Sequence, residues 1–452
     1  MLWMTSGFAI LSLLVTFVSL FVVHGAIVPA VTLACLQALT LGLAAWRASH
    51  AAGLRAGRVA LACAGVAWLA LEIAWLGGGV RSVHAAATAV ALALAAAVVV
   101  ADLRCGWRRG MRARSIVTGV VAAVIALACV PGCVLLVDAD AGSRLMARGN
   151  DGLAATAAQS SVTRDDGVVV TRDVRYGDAY PMSVLDVYHS PTASPDTATF
   201  VYVHGGGYVF GDKEFGDPTG EAGGFAFYLK SLCDAGYNVV SVDYAEAPEY
   251  RYPTPLRQLT QAVAYLQGHA DELGLNMGAA VFAGGSAGGN VIGQFVDAQT
   301  NGAYAEQVGV PQLLAPDQIK AVCFNCALLD NARYSNVGTS LLDVLFDYPC
   351  DLLLRSYFGV NEPELTGLLD ETNVIAHVTA DFPPAYIDDG TRYTFDEQAR
   401  DLAARLGQLG VDCELRIFEG EGHSFDTSAG EAAAQNVAAQ IAFVDRYAKA
   451  SS

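Results

Sequence analysis

Charge is scarce in this chain: Asp, Glu, Lys and Arg make up 16% of its 452 residues, against 53% hydrophobic residues. That balance is too apolar for a purely soluble enzyme of this length, and the deficit is local. Residues 1–138 contain nine basic residues, all arginine, and only Glu72, Asp102 and Asp138 as acids. The remainder is short of base instead, with 18 Lys/Arg against 42 Asp/Glu, a formal charge of −24. Such an excess of acid argues against nucleic acid as a partner and against docking on anionic lipid. Self-repulsion that keeps the domain soluble is its plain reading. A cysteine pattern is also missing: ten cysteines follow no regular spacing, which excludes a disulfide framework. Cys323-x-x-Cys326 has no second pair, so buried packing is expected there, with no metal and no cofactor. No internal repeat is present.

The uncharged runs lie in the first 137 residues. Five stretches, residues 2–23, 26–45, 59–80, 85–101 and 116–137, are long enough to cross a bilayer, which takes roughly 17–25 residues. A cleaved leader would account only for the first, which lacks a basic start. Arg47, Arg55 and Arg58 stand between the second and third stretches, and Arg104, Arg108, Arg109, Arg112 and Arg114 between the fourth and fifth. The alternate connections hold none and only Arg81. The positive-inside rule then makes the arginine-rich loops cytoplasmic, and five crossings leave everything past Val137 outside. The expectation is a multi-pass cell-membrane protein with an extracytoplasmic domain; its parity depends on the tight turn at 23–26. Glu72, inside the third stretch, is expected to be protonated or paired within the helices.

Residues 138–166, rich in Ala, Gly, Ser and Asp without apolar period, read as a linker. From 167 to 452, strand-like runs alternate with helix-like ones, the pattern of a mostly parallel sheet covered on both faces. The runs are 168–174, 183–188, 199–204, 238–243, 279–283, 319–328, 384–388 and 413–418, an eight-stranded α/β sheet. Helices are expected at 255–273, 287–299 and 394–409. The stretches 303–317 and 330–381 exceed what a connection needs and read as a partial lid.

Three motifs carry chemistry. Gly284-x-Ser286-x-Gly288 follows an apolar strand and opens a helix, the setting of a nucleophile elbow, where small neighbours clear a strained turn and the helix dipole favours negative charge. His204-Gly205-Gly206-Gly207 follows another strand; glycines there let successive N–H groups converge on an oxyanion, and no GK[ST] follows to suggest a phosphate loop. His204 itself is expected to brace the loop. Gly422-His423 follows the last strand, where a general base on a free loop can meet the serine. His377 is the only other serious candidate for that base.

These segments resemble the hormone-sensitive-lipase-like and feruloyl-esterase-like branch of the α/β-hydrolases over about residues 170–447, a likeness that leaves out the apolar N-terminal region. It also takes in Leu185-Asp186-Val187-Tyr188, Gly211-Asp212-Lys213, Asp243-Tyr244-Ala245-Glu246-Ala247-Pro248-Glu249 and Gly288-Gly289-Asn290. The resemblance implies an α/β-hydrolase fold with Ser286 as nucleophile, His423 as base, and Gly206, Gly207 and Ala287 as oxyanion N–H donors. One position departs from it. The family's acid falls three residues after a glycine following a Pro-Pro strand; here Pro383-Pro384 leads to Gly390, and that position is Tyr393. Asp389, at a strand end where such sites assemble, is the first choice of acid, followed by Asp396, Glu397, Asp388 and Asp330. The reading is a membrane-anchored serine carboxylesterase acting on a small-molecule or envelope ester. Acyl transfer to an envelope alcohol and a non-catalytic binding or scaffold protein are the alternatives.

Overall fold

Period-two alternation builds the sheet. Phe200 and Tyr202 point to one apolar layer while Val201 and Val203 point to the other, and Val239/Val240, Val281/Phe282 and Tyr386/Ile387 divide the same way. Burial on both faces explains why these strands are near-continuous apolar runs. The computed structural model describes residues 2–19, 31–40, 42, 55–78, 81–108, 110–147, 158–213, 226–334, 341–359, 364–427 and 429–449. They form two units, Met1–Gly142 with Val337–Leu352, and Ser143–Asn336 with Leu353–Ser452.

The second unit holds nine strands, one more than the sequence suggests: β1 (Ser160–Thr163), β2 (Val169–Arg175), β3 (Val184–His189), β4 (Thr199–Val203), β5 (Asn238–Val242), β6 (Ala280–Gly285), β7 (Ile319–Asn325), β8 (Ala385–Asp389) and β9 (Cys413–Ile417). Their order is β1-β2-β3-β5-β4-β6-β7-β8-β9. Pairs from β5 through β9 are parallel, while β1, β2 and β3 are antiparallel additions at one side. Helices Thr254–Gly268 and Ala287–Thr300 cover one face, and Ala226–Asp234 and Glu431–Ala448 the other.

The expected linker is partly ordered structure. Ala139–Ala147 is a helix, and β1 is a four-residue edge strand, exposed along its whole length, which is why no hydrophobic pattern marks it. The strand expected over 319–328 stops at Asn325, because Cys326 turns the chain with φ 44°. The stretch 330–381 contains helices Leu341–Phe358, Glu364–Glu371 and Val374–His377; its part Val337–Leu352 groups with the first unit.

In the first unit, helices Leu2–Ser19, 31–40, Arg55–Gly78, Arg81–Arg108 and Arg112–Val137 lie on the five apolar stretches. Ala87, Ala91 and Ala95, four residues apart, form a buried small-residue stripe with Leu13 and Trp68 in the same cluster. Val83–Ala101 and Ser115–Leu135 are long and apolar enough to cross a membrane; Ile10–Ser19, Val31–Thr40 and Cys63–Trp75 are apolar but shorter. Glu72 lies 3.8 Å from His84, whose ring stacks on Trp75 and meets the Ser19 carbonyl at 2.9 Å, so the acid has a helix-borne partner. The turn at 23–26, Arg47 and Arg109 lie outside the described residues.

Candidate active site

The turn between β6 and helix Ala287–Thr300 is a tight elbow. Ser286, at its apex, takes φ 51° and ψ −120°, a region that costs a non-glycine residue about 1–3 kcal/mol and persists only where its surroundings impose it. They do so here: the Ser286 N–H donates to the Asn325 carbonyl (3.0 Å) and its carbonyl accepts from the Leu328 N–H (3.1 Å). The elbow needs a glycine behind it. A Cβ on Gly288 would lie 2.2 Å from the Val203 carbonyl oxygen, so the helix can approach β4 only with no side chain there.

The glycine loop after β4 lies against this elbow, with the Cβ position of Gly205 3.1 Å from Ser286 Cβ. Gly206 (φ 98°) admits no side chain, since a Cβ would fall 1.6 Å from the Phe210 carbonyl oxygen. Gly207 follows with φ 60°, and Leu353 lies over it. Ala287 is the first residue of its helix, where the backbone N–H has no intrahelical acceptor. His204, fully buried, braces the loop: its Nδ1 meets the Gly205 carbonyl at 2.9 Å, its Nε2 meets Asp243 Oδ1 at 3.3 Å, and its ring stacks on Tyr244. Desolvation lowers the His204 pKa, but Asp243 outweighs it and the pKa is raised.

His423 stands on the loop after β9, with Nε2 3.0 Å from Ser286 Oγ. Burial pushes this imidazole down to about 4. Its other nitrogen faces a hydroxyl: Nδ1 is 3.3 Å from Thr394 Oγ1, and Thr394 in turn bonds Asp389 Oδ1. Asp389, at the end of β8, also accepts the N–H of Gly390 (Oδ1, 2.8 Å) and of Phe395 (Oδ2, 3.2 Å). Burial raises it to about 7 against the hydrogen bonds from Thr394, Gly390 and the Cys326 thiol, which lower it. Ser286, His423 and Asp389 thus come together, with Thr394 between the last two. Thr394 carries no motif of its own; it stands five residues after Asp389 and beside the misfit Tyr393.

The other candidates are engaged elsewhere. Asp396 opens helix Asp396–Leu409, one residue past the N-cap role, and pairs with Arg400 at 3.4 Å; Glu397 follows it, exposed. Asp330 caps a turn through the Ala332 N–H and bonds Arg333 at 2.7 Å. His377 stacks on Tyr304, and its Nε2 meets the Asp370 carbonyl. Asp388 is buried with Cys326 and Asp426, the ligand atoms of the three lying within 4.8 Å of one another. Desolvation raises both carboxyls above the usual carboxylate range. Cys323 and Cys326 are free, buried thiols.

Comparison with known proteins agrees with this architecture. A family model described as alpha/beta hydrolase fold matches residues 200–427. An arylesterase of Saccharolobus solfataricus is 30% identical over 271 residues, 58% of this chain and 78% of that protein. An esterase of Fusarium pseudograminearum is 24% identical over 262 residues, 56% of this chain and 74% of that protein. Among solved structures, esterase B of Lactobacillus rhamnosis superposes with a TM-score of 0.52 at 17% identity, over 64% of this chain and 89% of that one, which is a likeness of fold. The chain belongs to the α/β-hydrolase fold family and is a carboxylic ester hydrolase.

Proposed function

We propose that the chain is a membrane-anchored serine carboxylesterase that works through an acyl-enzyme on Ser286. The observation that carries this reading is the 3.0 Å contact of Ser286 Oγ with His423 Nε2, made from a strained elbow beside a glycine loop. Ser286 Oγ attacks the ester carbonyl as His423 Nε2 takes its proton. The tetrahedral oxyanion accepts hydrogen bonds from Gly206, Gly207 and Ala287. Collapse expels the alcohol with the proton returned by His423, and a water molecule, activated by the same nitrogen, releases the acid. Asp389 supplies the negative charge that favours the imidazolium. Tyr393 does not leave the histidine without a polar partner, which weakens the non-catalytic alternative.

Anchoring is supported by the two helices long and apolar enough to span a bilayer and by large apolar side chains exposed along the first unit, among them Val66, Ile73, Val117, Val124 and Leu127. With the arginine bias, this favours a multi-pass cell-membrane protein whose catalytic unit faces outward and meets an ester there. The test is turnover of p-nitrophenyl acetate by the detergent-solubilised full chain beside its Ser286→Ala variant. Loss of up to about six orders of magnitude supports the reading. Substantial turnover by a folded Ser286→Ala protein rejects it.

A further inference from the structure

The acid of the site does not touch the base. Among the described residues no carboxylate is bonded to His423, whose ring nitrogens meet Ser286 Oγ and Thr394 Oγ1. Thr394 is 2% exposed, so water does not compete for its hydroxyl. Proton counting fixes the direction of the chain. An ionised Asp389 can only accept, and it accepts from Gly390 N–H, Phe395 N–H, Thr394 O–H and the Cys326 thiol. The single Thr394 proton is therefore committed to Asp389, and the lone pairs of Oγ1 face His423. Nδ1 must then carry the proton it donates, which leaves the Nε2 lone pair facing Ser286 Oγ, the tautomer a general base needs.

The local chain holds this line in place. β8 ends at Asp389, and helix Asp396–Leu409 starts six residues after Gly390. Between them Tyr393 takes φ 53° and is 43% exposed, reversing the chain so that Thr394 faces inward. Phe395 then lies edge-on to the His423 ring (5.1 Å). Threonine's branched Cβ limits its rotamers, so the hydroxyl is held without a long side chain to order.

We infer that Thr394 is a positioning residue that links Asp389 to His423, its hydroxyl transmitting the carboxylate's hold on the imidazole and so making good the acid missing at Tyr393. The inference rests on the assignment of Ser286 and His423 above. During acylation the proton leaving Ser286 Oγ goes to Nε2; Nδ1–H and the Thr394 O–H stay on their own atoms, and the imidazolium is held by two hydrogen bonds in series. The ionisable groups facing Asp389 are Cys326 beyond the end of β7, Asp388 on its own strand, Asp396 at the helix start and His423 on the late loop.

The experiment compares the full chain with Thr394→Val, Thr394→Ser, Asp389→Asn and Thr394→Val/Asp389→Asn by kcat, KM and pH profile, with circular dichroism as the folding check. Thr394→Val should lower kcat by about 10–1,000-fold with little change in KM, because only the transition-state charge is affected. It should also shrink the acid-side step of the profile that belongs to Asp389. Thr394→Ser should restore both, and the double variant should be no slower than the worse single variant, since both changes break one line. Thr394→Val within twofold of the parent, with the Asp389 step intact, overturns the inference, as does an additive double variant. Should Thr394→Val not fold, Thr394→Ala, which only removes atoms, decides on the same criteria. Ser286→Ala separates the two levels: its inactivity beside an unaffected Thr394→Val defeats the relay alone, and its activity defeats the site assignment.

Discussion

Asp389→Asn is the substitution whose outcome the geometry constrains most closely. Two hydrogen bonds in series place the carboxylate on the order of 5 Å from His423 Nδ1; at an effective dielectric constant of about 20, its attraction for the imidazolium is about 3 kcal/mol. Loss of that attraction slows the reaction by about 100–300-fold, less than the roughly 10⁴-fold drop when a directly bonded triad aspartate is neutralised. The amide also meets four donors, the Cys326 thiol among them, with one acceptor oxygen. With its oxygen serving Gly390 and Thr394, its NH₂ faces the Phe395 N–H, which costs about 1–3 kcal/mol of stability. The assay is p-nitrophenyl acetate turnover on the detergent-solubilised chain, with chemical denaturation for stability. A fall below fivefold in a folded variant would refute the charge argument, and a fall of 10⁴-fold would refute the indirect geometry. Asp396→Asn, which weakens a partly exposed pair with Arg400, should stay within about threefold.

Further expectations concern pH, packing and topology. Asp389 is raised to about 7 and His423 lowered to about 4, so on acidification the carboxyl takes up a proton first and the imidazole stays a free base. The kcat/KM profile should therefore fall partway near pH 7 and again near pH 4, and Asp389→Asn should keep only the lower step; one fall near 6.5 in both proteins contradicts this. Gly288→Ala puts a methyl 2.2 Å from the Val203 carbonyl oxygen and should cost about 3 kcal/mol or more, read as a lowered denaturation midpoint; a parental midpoint contradicts the packing. Protease added to cells stripped of outer barriers should cut the chain between residues 138 and 166, and complete protection would reverse the orientation.

What the sequence made legible was local. Ser286 and His423 sit in short motifs whose spacing is their function, and the inner strands such as β4, β5 and β8 carry apolar runs because both of their faces are buried. β1 escaped because four exposed residues have no face to hide, and helix Ala139–Ala147 because its small residues resemble a linker. The end of β7 depends on one positive φ at Cys326, which no pattern announces. Thr394 was out of reach for a different reason. A hydroxyl has no signature of its own, and its role exists only where the end of β8 meets the loop after β9. Asp389 could be ranked first from its strand-end position, but that its contact with His423 is indirect required coordinates.

The central claim is a covalent acyl-enzyme on Ser286, and mass spectrometry of the chain after a fluorophosphonate probe tests it most directly. The account predicts one adduct, on the peptide carrying Ser286, formed in step with loss of esterase activity, and none in Ser286→Ala. Full ester turnover with no adduct, or an adduct on another residue that tracks inactivation, would contradict it.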